Sequence, residues 1–260
     1  MTWAFKRQVL DLLILLAVLA IFGFLIFNSF FNTEPTCMDG IQNGTETGVD
    51  CGGACARACT AETDPVSILW SRAFNVISGR YNAVAYLENH NQDSAVNRIS
   101  YRFRFADENN VYIGKREGVT FIPPSGSFAV FEPAIDLGNS VPVYTTFEFT
   151  STPDWVRVSA DQINQLKILT SGIVLSGEDT SPRLSATLKN SSLFTIPNVN
   201  VVAILYDQLG NAIGVSQTYI ENFFGEESRT VTFTWPEPLG EEVVTREVVP
   251  MFNIFEANLK

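Results

Sequence analysis

Residues 9–31 form the longest apolar run of the chain, VLDLLILLAVLAIFGFLIFNSFF. Apart from Asp11 near its start, the run is apolar for roughly twenty residues, the length that a helix needs to cross a bilayer core of about 30 Å. A cleaved signal peptide would have a shorter apolar region of about 7–15 residues, followed by a small-x-small cleavage site. Here Phe and Leu continue to Phe31. The pattern therefore predicts an uncleaved transmembrane helix over residues 9–31.

Beyond residue 62, apolar and polar positions alternate. In the stretches YRFRF (101–105) and VNVVA (199–203), apolar side chains recur at every second position. Segments of this kind, bounded by Asn, Asp, Gly and Pro, are typical of antiparallel strands. The sequences ADENN (106–110) and YDQLGN (206–211) are the predicted hairpin turns between neighbouring strands.

The strand-like region also resembles itself at an offset of about 100 residues. Three pairs of segments align: 101–114 with 200–214, 82–91 with 183–192, and 123–133 with 223–238. Two copies of one domain are the simplest cause, and each copy offers about seven strands in roughly 95 residues, as in an immunoglobulin-like sandwich. The predicted fold class is mainly β, with two tandem Ig-like antiparallel β-sandwiches at 62–159 and 168–260. The short linker, 160–167, predicts a semi-rigid rod.

The second copy carries the order A-x-L-x-N … V-x-V-x-A-x-L-Y-D-x-x-G-N-x-I, which resembles the FxLYD/LEA-type family of Ig-like β-sandwiches. The matching residues are Ala186, Leu188, Asn190, Val199, Val201, Ala203, Leu205, Tyr206, Asp207, Gly210, Asn211 and Ile213. The first copy matches more loosely, with Phe105-Ala106-Asp107 in place of Leu-Tyr-Asp. The resemblance covers most of both copies. It implies a fold found in exported prokaryotic proteins, with no general catalytic activity.

Charge predicts the orientation of the span. Lys6 and Arg7 precede it, whereas Glu34 and Asp39 are the first charges after it. Because Lys and Arg stay on the cytoplasmic side, residues 1–8 are predicted to be cytoplasmic and the rest of the chain beyond the span extracytoplasmic. That part holds 27 of the 28 acidic and 15 of the 17 basic residues, a net charge of −12. Without a basic patch, nucleic acid binding is not expected.

The segment 32–61 holds all four cysteines, Cys37, Cys51, Cys55 and Cys59. In an oxidising exterior compartment, closely spaced cysteines form disulfides, so two bonds are predicted, with three pairings open. Zinc is the alternative, since four thiolates could make a tetrahedral site. However, 13, 3 and 3 residues separate the successive cysteines, so the Cys-x-x-Cys knuckles of zinc ribbons are missing. The same absence argues against a thioredoxin-like redox pair.

Between the cysteines, four side chains with oxygen atoms recur every three or four residues: Asp39, Asn43, Glu46 and Asp50. Calcium takes six to eight oxygen ligands, and these residues with backbone carbonyls would suffice. The EF-hand pattern is absent. Calcium is the predicted cofactor; the alternative is that these residues only cap the turns of a small disulfide knot.

This segment is similar to a short module, C-x-D-G-x-x-N-G-x-E-x-G-x-D-C-G-G-x-C-x-x-C, of bacterial and archaeal surface and secreted proteins, often beside a membrane anchor. The matching residues are Cys37, Asp39, Gly40, Asn43, Gly44, Glu46, Gly48, Asp50, Cys51, Gly52, Gly53 and Cys55. The last spacing departs from the pattern, because three residues rather than two precede Cys59. The resemblance implies calcium binding as an expectation and says little about activity.

The sequence predicts no catalytic residue and no small-molecule substrate. His90 is the one histidine, and its loop favours a surface role; the motifs of hydrolases, nucleotide-binding loops and zinc proteases are absent. A positive cluster in the first copy is the candidate face for a partner. The alternative is that these residues are ordinary charges that keep the surface soluble. The members of the cluster are Arg98, Arg102, Arg104, Lys115 and Arg116.

These features predict a membrane-anchored structural or adhesive binding protein with two Ig-like domains on a stiff collar, and protein partners in the cell envelope. The alternative is an accessory subunit of a membrane-embedded envelope complex, such as a secretion, pilus or respiratory assembly. In that case Asp11 and Gly23 in the span would contact partners.

Overall fold

The computed structural model describes residues 3–31 and 36–257. Parts of three predicted segments lie outside the described residues: 1–2 of the cytoplasmic segment, 32–35 of the cysteine module and 258–260 of the second domain. Helix α1 runs from Trp3 to Phe31. Within the described residues, its stretch Phe5–Phe27 is the one helical segment long and apolar enough to cross a membrane, and its apolar side chains are exposed.

The remaining described chain is mostly β-strand, in two groups separated by the short helix α2 (Ala160–Gln165). The first group contains β1 (Ser67–Ile77), β2 (Arg80–Asn89), β3 (Ser94–Ala106), β4 (Tyr112–Ile122), β5 (Gly126–Asp136), β6 (Tyr144–Phe149) and β7 (Val156–Arg157). The second group contains β8 (Ile168–Ser176), β9 (Arg183–Asn190), β10 (Ile196–Tyr206), β11 (Ala212–Phe223), β12 (Ser228–Thr234) and β13 (Thr245–Met251). A 3₁₀ turn, Thr60–Glu62, precedes β1.

Each group folds into a β-sandwich of two antiparallel sheets. The sheets of the first sandwich have the orders β1-β2-β5 and β4-β3-β6, and β7 pairs with the start of β3. Those of the second have the orders β8-β9-β12 and β11-β10-β13. The six strands β8–β13 therefore repeat the order of β1–β6. The predicted fold class is confirmed: mainly β, with an N-terminal apolar helix, a disulfide-tied loop and antiparallel β-sandwiches.

The alternating pattern places aromatic and aliphatic side chains inside each sandwich. In β3, the side chains of Phe103 and Phe105 are fully buried in the first sandwich. In the second sandwich, Leu188 of β9 and Phe233 of β12 are buried in the same way. Burying side chains of this size is the main favourable contribution to the folding of each unit.

The two sandwiches pack face to face, because the central strands β2 and β10 are buried on both sides. Adjacent residues, whose side chains point to opposite faces of the strand, are fully buried, as are Val84 and Ala85 in β2 and Val202 and Ala203 in β10. Val202 and Ile204 belong to the same apolar cluster as the core of the first sandwich, while their neighbour Leu205 belongs to the core of the second. The outer face of sheet β11-β10-β13 thus covers the outer face of sheet β1-β2-β5.

Polar contacts tie the same interface. The guanidinium Nη1 of Arg72 in β1 donates to the carbonyl oxygen of Ala212 in β11, 2.6 Å away. The backbone N–H of Ala129 in β5 faces the sulfur of Met251 in β13 at 3.0 Å. The rod expected from the short linker is therefore wrong, because the sandwiches pack face to face.

The predicted linker 160–167 forms α2 and the turn that follows it. The hydroxyl of Ser159 caps this helix by accepting a hydrogen bond from the N–H of Gln162 over 3.2 Å. Leu166, at its C-terminal end, is buried in the core of the second sandwich. The segment is thus fixed against the second sandwich.

Candidate functional site

Two disulfides close the cysteine module, Cys37–Cys55 and Cys51–Cys59. The bonds interleave along the chain, so each one restrains the loop that the other closes. Cys55 and Cys59 are buried. Because all four sulfurs are paired, the four-thiolate zinc site that was the alternative does not form.

The carboxylates of Asp39 and Asp50 satisfy backbone and amide donors of the module. Oδ1 of Asp50 accepts hydrogen bonds from the N–H groups of Asp39 and Gly40, at 2.9 and 3.0 Å. Oδ1 of Asp39 accepts from the N–H of Ile41 at 2.9 Å, and its Oδ2 accepts from the side-chain amide of Asn43 at 2.8 Å. The hydrogen bond from Asn43, followed by that from Ile41, lowers the pKa of Asp39. Both carboxylates therefore cap turns.

Glu46 and Asn43 complete the predicted ligand set. Oε2 of Glu46 accepts from the backbone N–H groups of Asn43 and Asp50, at 3.2 and 3.3 Å. Oδ1 of Asn43 is buried and has no hydrogen-bond partner, which is the kind of atom that a bound cation would satisfy. Among the His, Cys, Asp and Glu side chains of the described residues, one group has ligand atoms within 4.8 Å of one another. It consists of Glu46, Cys37 and Cys55, whose two sulfurs are bonded to each other. Calcium would have to replace hydrogen bonds that the carboxylates already make.

The module is fixed to the first sandwich by backbone pairing with β7. The N–H of Ala58 donates to the carbonyl of Trp155 over 3.0 Å, and the N–H of Arg157 donates to the carbonyl of Ala56 over 2.7 Å. The side chain of Arg157 also donates to the carbonyl of Gly53 and to the carboxylate of Glu62. The module and the sandwich therefore form one continuous hydrogen-bonded unit.

The predicted positive cluster divides between two faces of the sheet β4-β3-β6. Arg102, Arg104 and Lys115 share its outer face with two glutamates, and these five residues form what we call the outer sheet face. Arg102 pairs with Glu117 at 2.8 Å and with Glu148 at 3.4 Å, Lys115 pairs with Glu117 at 3.0 Å, and Arg104 pairs with Glu148 at 3.3 Å. The hydrogen bonds from Lys115 and Arg102 lower the pKa of Glu117. Three positive and two negative charges leave this face weakly positive.

Arg116 lies on the opposite side of β4 from the outer sheet face, because its register partner is the buried Phe103. Its Nε donates to Oε2 of the buried Glu132 at 3.0 Å, and the hydroxyl of Tyr101 donates to Oε1 of the same carboxylate at 2.7 Å. Burial, with the Glu132 contact, raises the pKa of Tyr101. Arg98, the remaining member of the predicted cluster, is exposed near the start of β3.

The interface between the sandwiches contains a polar contact that sequence reasoning missed. The carboxylate of Glu247 in β13 accepts hydrogen bonds from Tyr86 of the first sandwich and Tyr206 of the second, at 2.5 and 2.9 Å. The signal that was available is the unbroken apolar run in each central strand, AVAYL (83–87) and VVAIL (201–205). Such runs indicate strands buried on both faces.

His90 lies beside a serine and a glutamate. Its Nε2 is 3.0 Å from the hydroxyl of Ser67, and its Nδ1 is 3.9 Å from Oε1 of Glu88. The order of groups is that of a Ser-His-acid relay. However, the second distance exceeds a hydrogen bond, and the side chains of His90 and Glu88 are 45% and 38% exposed.

No protein-family model and no curated protein sequence matches this chain. Among solved structures, it is similar to a red sea bream transglutaminase, with 9% identity and a TM-score of 0.23 over 66% of this chain and 27% of that one. It is also similar to a β-glucuronidase of glycoside hydrolase family 2, with 8% identity and a TM-score of 0.22 over 85% of this chain and 29% of that one. The chain thus spans less than a third of each, and scores this low carry no argument about fold or function. The resemblances to the cysteine module and to the FxLYD/LEA-type domains stay predictions.

Proposed function

We propose that this chain is a single-pass membrane protein, with a cytoplasmic N-terminus, whose extracytoplasmic part is a structural or adhesive binding unit. The apolar stretch Phe5–Phe27 of α1 has the length to span a bilayer, and the two disulfides fit an oxidising compartment. Lys6 and Arg7 before the span support the orientation. The proposal assigns no reaction to the chain.

The observation that carries this proposal is the continuous attachment of the module to β7. Backbone hydrogen bonds join Ala58 to Trp155 and Arg157 to Ala56, and the sandwiches then pack on each other. Little freedom is left between the module and the far side of the second sandwich. The module thus acts as a collar that keeps the binding surface of the sandwiches in a fixed position relative to the module. Calcium at Asp39, Asn43, Glu46 and Asp50 is part of the proposal and would add to the restraint from the disulfides.

We also propose that the two sandwiches are copies of one domain. Asn89 and Asn190, each at the end of the second strand of its group, are buried, and each accepts a hydrogen bond at 3.0 Å from the N–H two residues later. Asp107 and Asp207 each accept at Oδ1 from the N–H groups two and four residues later, at 2.8–2.9 Å. Equal networks at aligned positions, together with the equal strand order, support duplication.

The duplication indicates which surface is open to a partner. In the second sandwich, the outer face of β11-β10-β13 is covered by the first sandwich. The corresponding surface of the first sandwich is the outer sheet face, where Arg104 and Lys115 are about half exposed. We therefore assign the contact with an envelope protein to the outer sheet face.

A crosslinking experiment tests this assignment. A photoreactive amino acid at Arg104 should crosslink the full chain to a protein in native membranes, and mass spectrometry would identify that protein. The matched control is Thr230, exposed on β12 in the other sandwich, which should give no such product. Crosslinks from Thr230 but not from Arg104 would reject the assigned surface, and their absence from both would reject the binding role.

The accessory-subunit alternative is favoured by one observation. Asp11 lies inside the apolar stretch Phe5–Phe27, where a carboxylate is costly and often contacts a partner. Replacing α1 with an unrelated membrane anchor separates the two proposals. Binding through the outer sheet face should survive the replacement, whereas membership of a membrane-embedded complex should not.

A further inference from the structure

The cysteine module exposes three large apolar side chains. Met38, Ile41 and Val49 are 93%, 64% and 54% exposed, and we call these three residues the module tip. In the same module, Cys55 and Cys59 are buried. Exposed apolar side chains scattered singly need no explanation, whereas several held on one rigid loop are typical of a surface that contacts something else.

Hydrogen bonds hold the three residues on adjoining backbone segments. Met38 precedes Asp39 and Ile41 follows Gly40, the two residues whose N–H groups donate to the carboxylate of Asp50. Val49 directly precedes Asp50 in the chain. The Asp50 carboxylate thus draws the two segments together, and the disulfide from Cys37 to Cys55 restrains one of them.

The position of the module tip in the chain limits what can cover it. Helix α1 ends at Phe31, and the module begins at Cys37. Six residues extend for at most about 3.5 Å each, so Cys37 lies within roughly 20 Å of the end of the helix whatever path they take. Interfacial segments bury apolar side chains about 5–10 Å into the boundary between headgroups and acyl chains. That boundary is within reach of the module tip.

We propose that Met38, Ile41 and Val49 insert into the outer interface of the bilayer that α1 crosses. This inference rests on the proposed function, since it needs α1 in the membrane and the module outside. The carboxylates of Asp39 and Asp50 lie next to the module tip and would be repelled by anionic lipid. The surface that fits is therefore one of zwitterionic headgroups. Insertion would add a second attachment to the membrane beside the helix and would fix the tilt of the collar.

The three methionines of the chain allow a direct test without substitution. They are Met1, Met38 and Met251, and Met251 is 8% exposed in the sandwich interface, so it serves as an internal control. The full chain, labelled with ¹³C at the methionine methyl groups, is placed in phosphatidylcholine nanodiscs that contain lipid with a nitroxide near the top of the acyl chain. The Met38 methyl signal should lose at least half of its intensity, and the Met251 signal should keep its own.

Substitutions separate insertion from mere nearness to the lipid. Ile41→Asp or Val49→Asp should restore at least half of the lost Met38 intensity, because a carboxylate disfavours insertion. Leu209→Asp, in the exposed turn between β10 and β11, should restore none. If Met38 keeps its intensity with the lipid nitroxide but loses it to a water-soluble gadolinium chelate, the inference is overturned while the anchor stands. If the full chain does not enter nanodiscs, the proposed function and the inference both fail.

Discussion

The hydroxyl of Tyr86 in the first sandwich donates a hydrogen bond to Oε1 of Glu247 in the second, 2.5 Å away. The other oxygen of this carboxylate accepts from Tyr206 at 2.9 Å. Burial, together with the neighbouring carboxylate, raises the pKa of both tyrosines, so their hydroxyls keep their protons further into the alkaline range than an ordinary tyrosine does. A single carboxylate therefore joins two sheets that belong to different sandwiches.

Removing one of these hydroxyls should destabilise the protein. Tyr86→Phe leaves Oε1 of Glu247 without its donor, so we expect the free energy of unfolding to fall by about 1–3 kcal/mol. Urea denaturation of the full chain in detergent, followed by tryptophan fluorescence, would measure the change. The matched control is Tyr219→Phe, since Tyr219 is 54% exposed and donates to Asn198 at the surface; there we expect less than about 0.5 kcal/mol. Equal effects would contradict a special role for the Glu247 contact.

The face-to-face packing makes the stability of one sandwich depend on residues of the other. Ile204 is fully buried in β10 on the side that faces the first sandwich. Ile204→Ala should cost about 2–5 kcal/mol. It should also speed hydrogen exchange of backbone amides in β2, which belongs to the other sandwich. Leu169→Ala, at a 45% exposed position in β8, is the control. Unchanged exchange in β2 would support independent sandwiches instead.

Thiol counting can check the disulfide pairing. The double variant Cys37→Ser, Cys55→Ser removes one bond and leaves the pair Cys51–Cys59, so the oxidised protein should contain no free thiol. The double variant Cys37→Ser, Cys51→Ser breaks both bonds and should expose two thiols to a maleimide under denaturing conditions. The reverse result would mean that Cys37 pairs with Cys51.

Calcium binding is a separate question from the disulfides. We expect calcium to bind the oxidised full chain at millimolar concentration or below, which is the range of extracellular calcium modules. Isothermal titration would measure it, with a chelator restoring the starting state. Asp50→Asn should weaken binding at least tenfold, whereas Asp154→Asn, which removes an exposed partner of Arg57, should not. No heat at millimolar calcium would leave the four side chains as turn caps only.

The serine beside His90 offers a test of the proposal that the chain carries no reaction. A fluorophosphonate probe, which labels nucleophilic serines, should not react with Ser67, because the carboxylate of Glu88 lies 3.9 Å from His90, beyond hydrogen-bond distance, and both of these side chains are partly exposed to solvent. Labelling would be located by mass spectrometry of the digested protein. A product at Ser67 that disappears in His90→Ala would reveal a hydrolase and refute the non-enzymatic assignment.

Much of the fold could be predicted because alternation has a direct physical meaning in a strand. The stretch YRFRF (101–105) alternates strictly, and β3 has one buried face and one free face. The rod was predicted wrongly because linker length was considered without the apolar runs AVAYL (83–87) and VVAIL (201–205). A strand that is apolar on both faces needs a packing partner on each. Here one face packs against the second sheet of its own sandwich and the other packs against the other sandwich.

The site was less predictable, because it depends on which residues the turns bring together. The disulfide pairing follows from the path of a Gly-rich loop, in which Asp50 itself has a positive φ of 55°. Because Lys115 and Arg116 are adjacent in one strand, they must face opposite sides, but the irregular pattern of YIGKREGVTFI (112–122) does not show which of them shares the face of Arg102 and Arg104. Nothing local marks Glu247, whose two partners lie 161 and 41 residues away.

The strands β3 and β10 carry different residues at two matching positions, and this difference bears on how many sandwiches can pack together. Val202 and Ile204 in β10 occupy the positions that Arg102 and Arg104 hold in β3. The outer face of β11-β10-β13 packs against the other sandwich. The outer sheet face of β4-β3-β6 does not pack against a further sandwich in the same way, because burying two guanidinium groups with their glutamate partners would cost too much desolvation. Head-to-tail contacts of this kind can otherwise grow into open-ended fibres. If the sandwiches are copies of one domain, as we propose, we infer that these two arginines limit the face-to-face packing to the two sandwiches of one polypeptide.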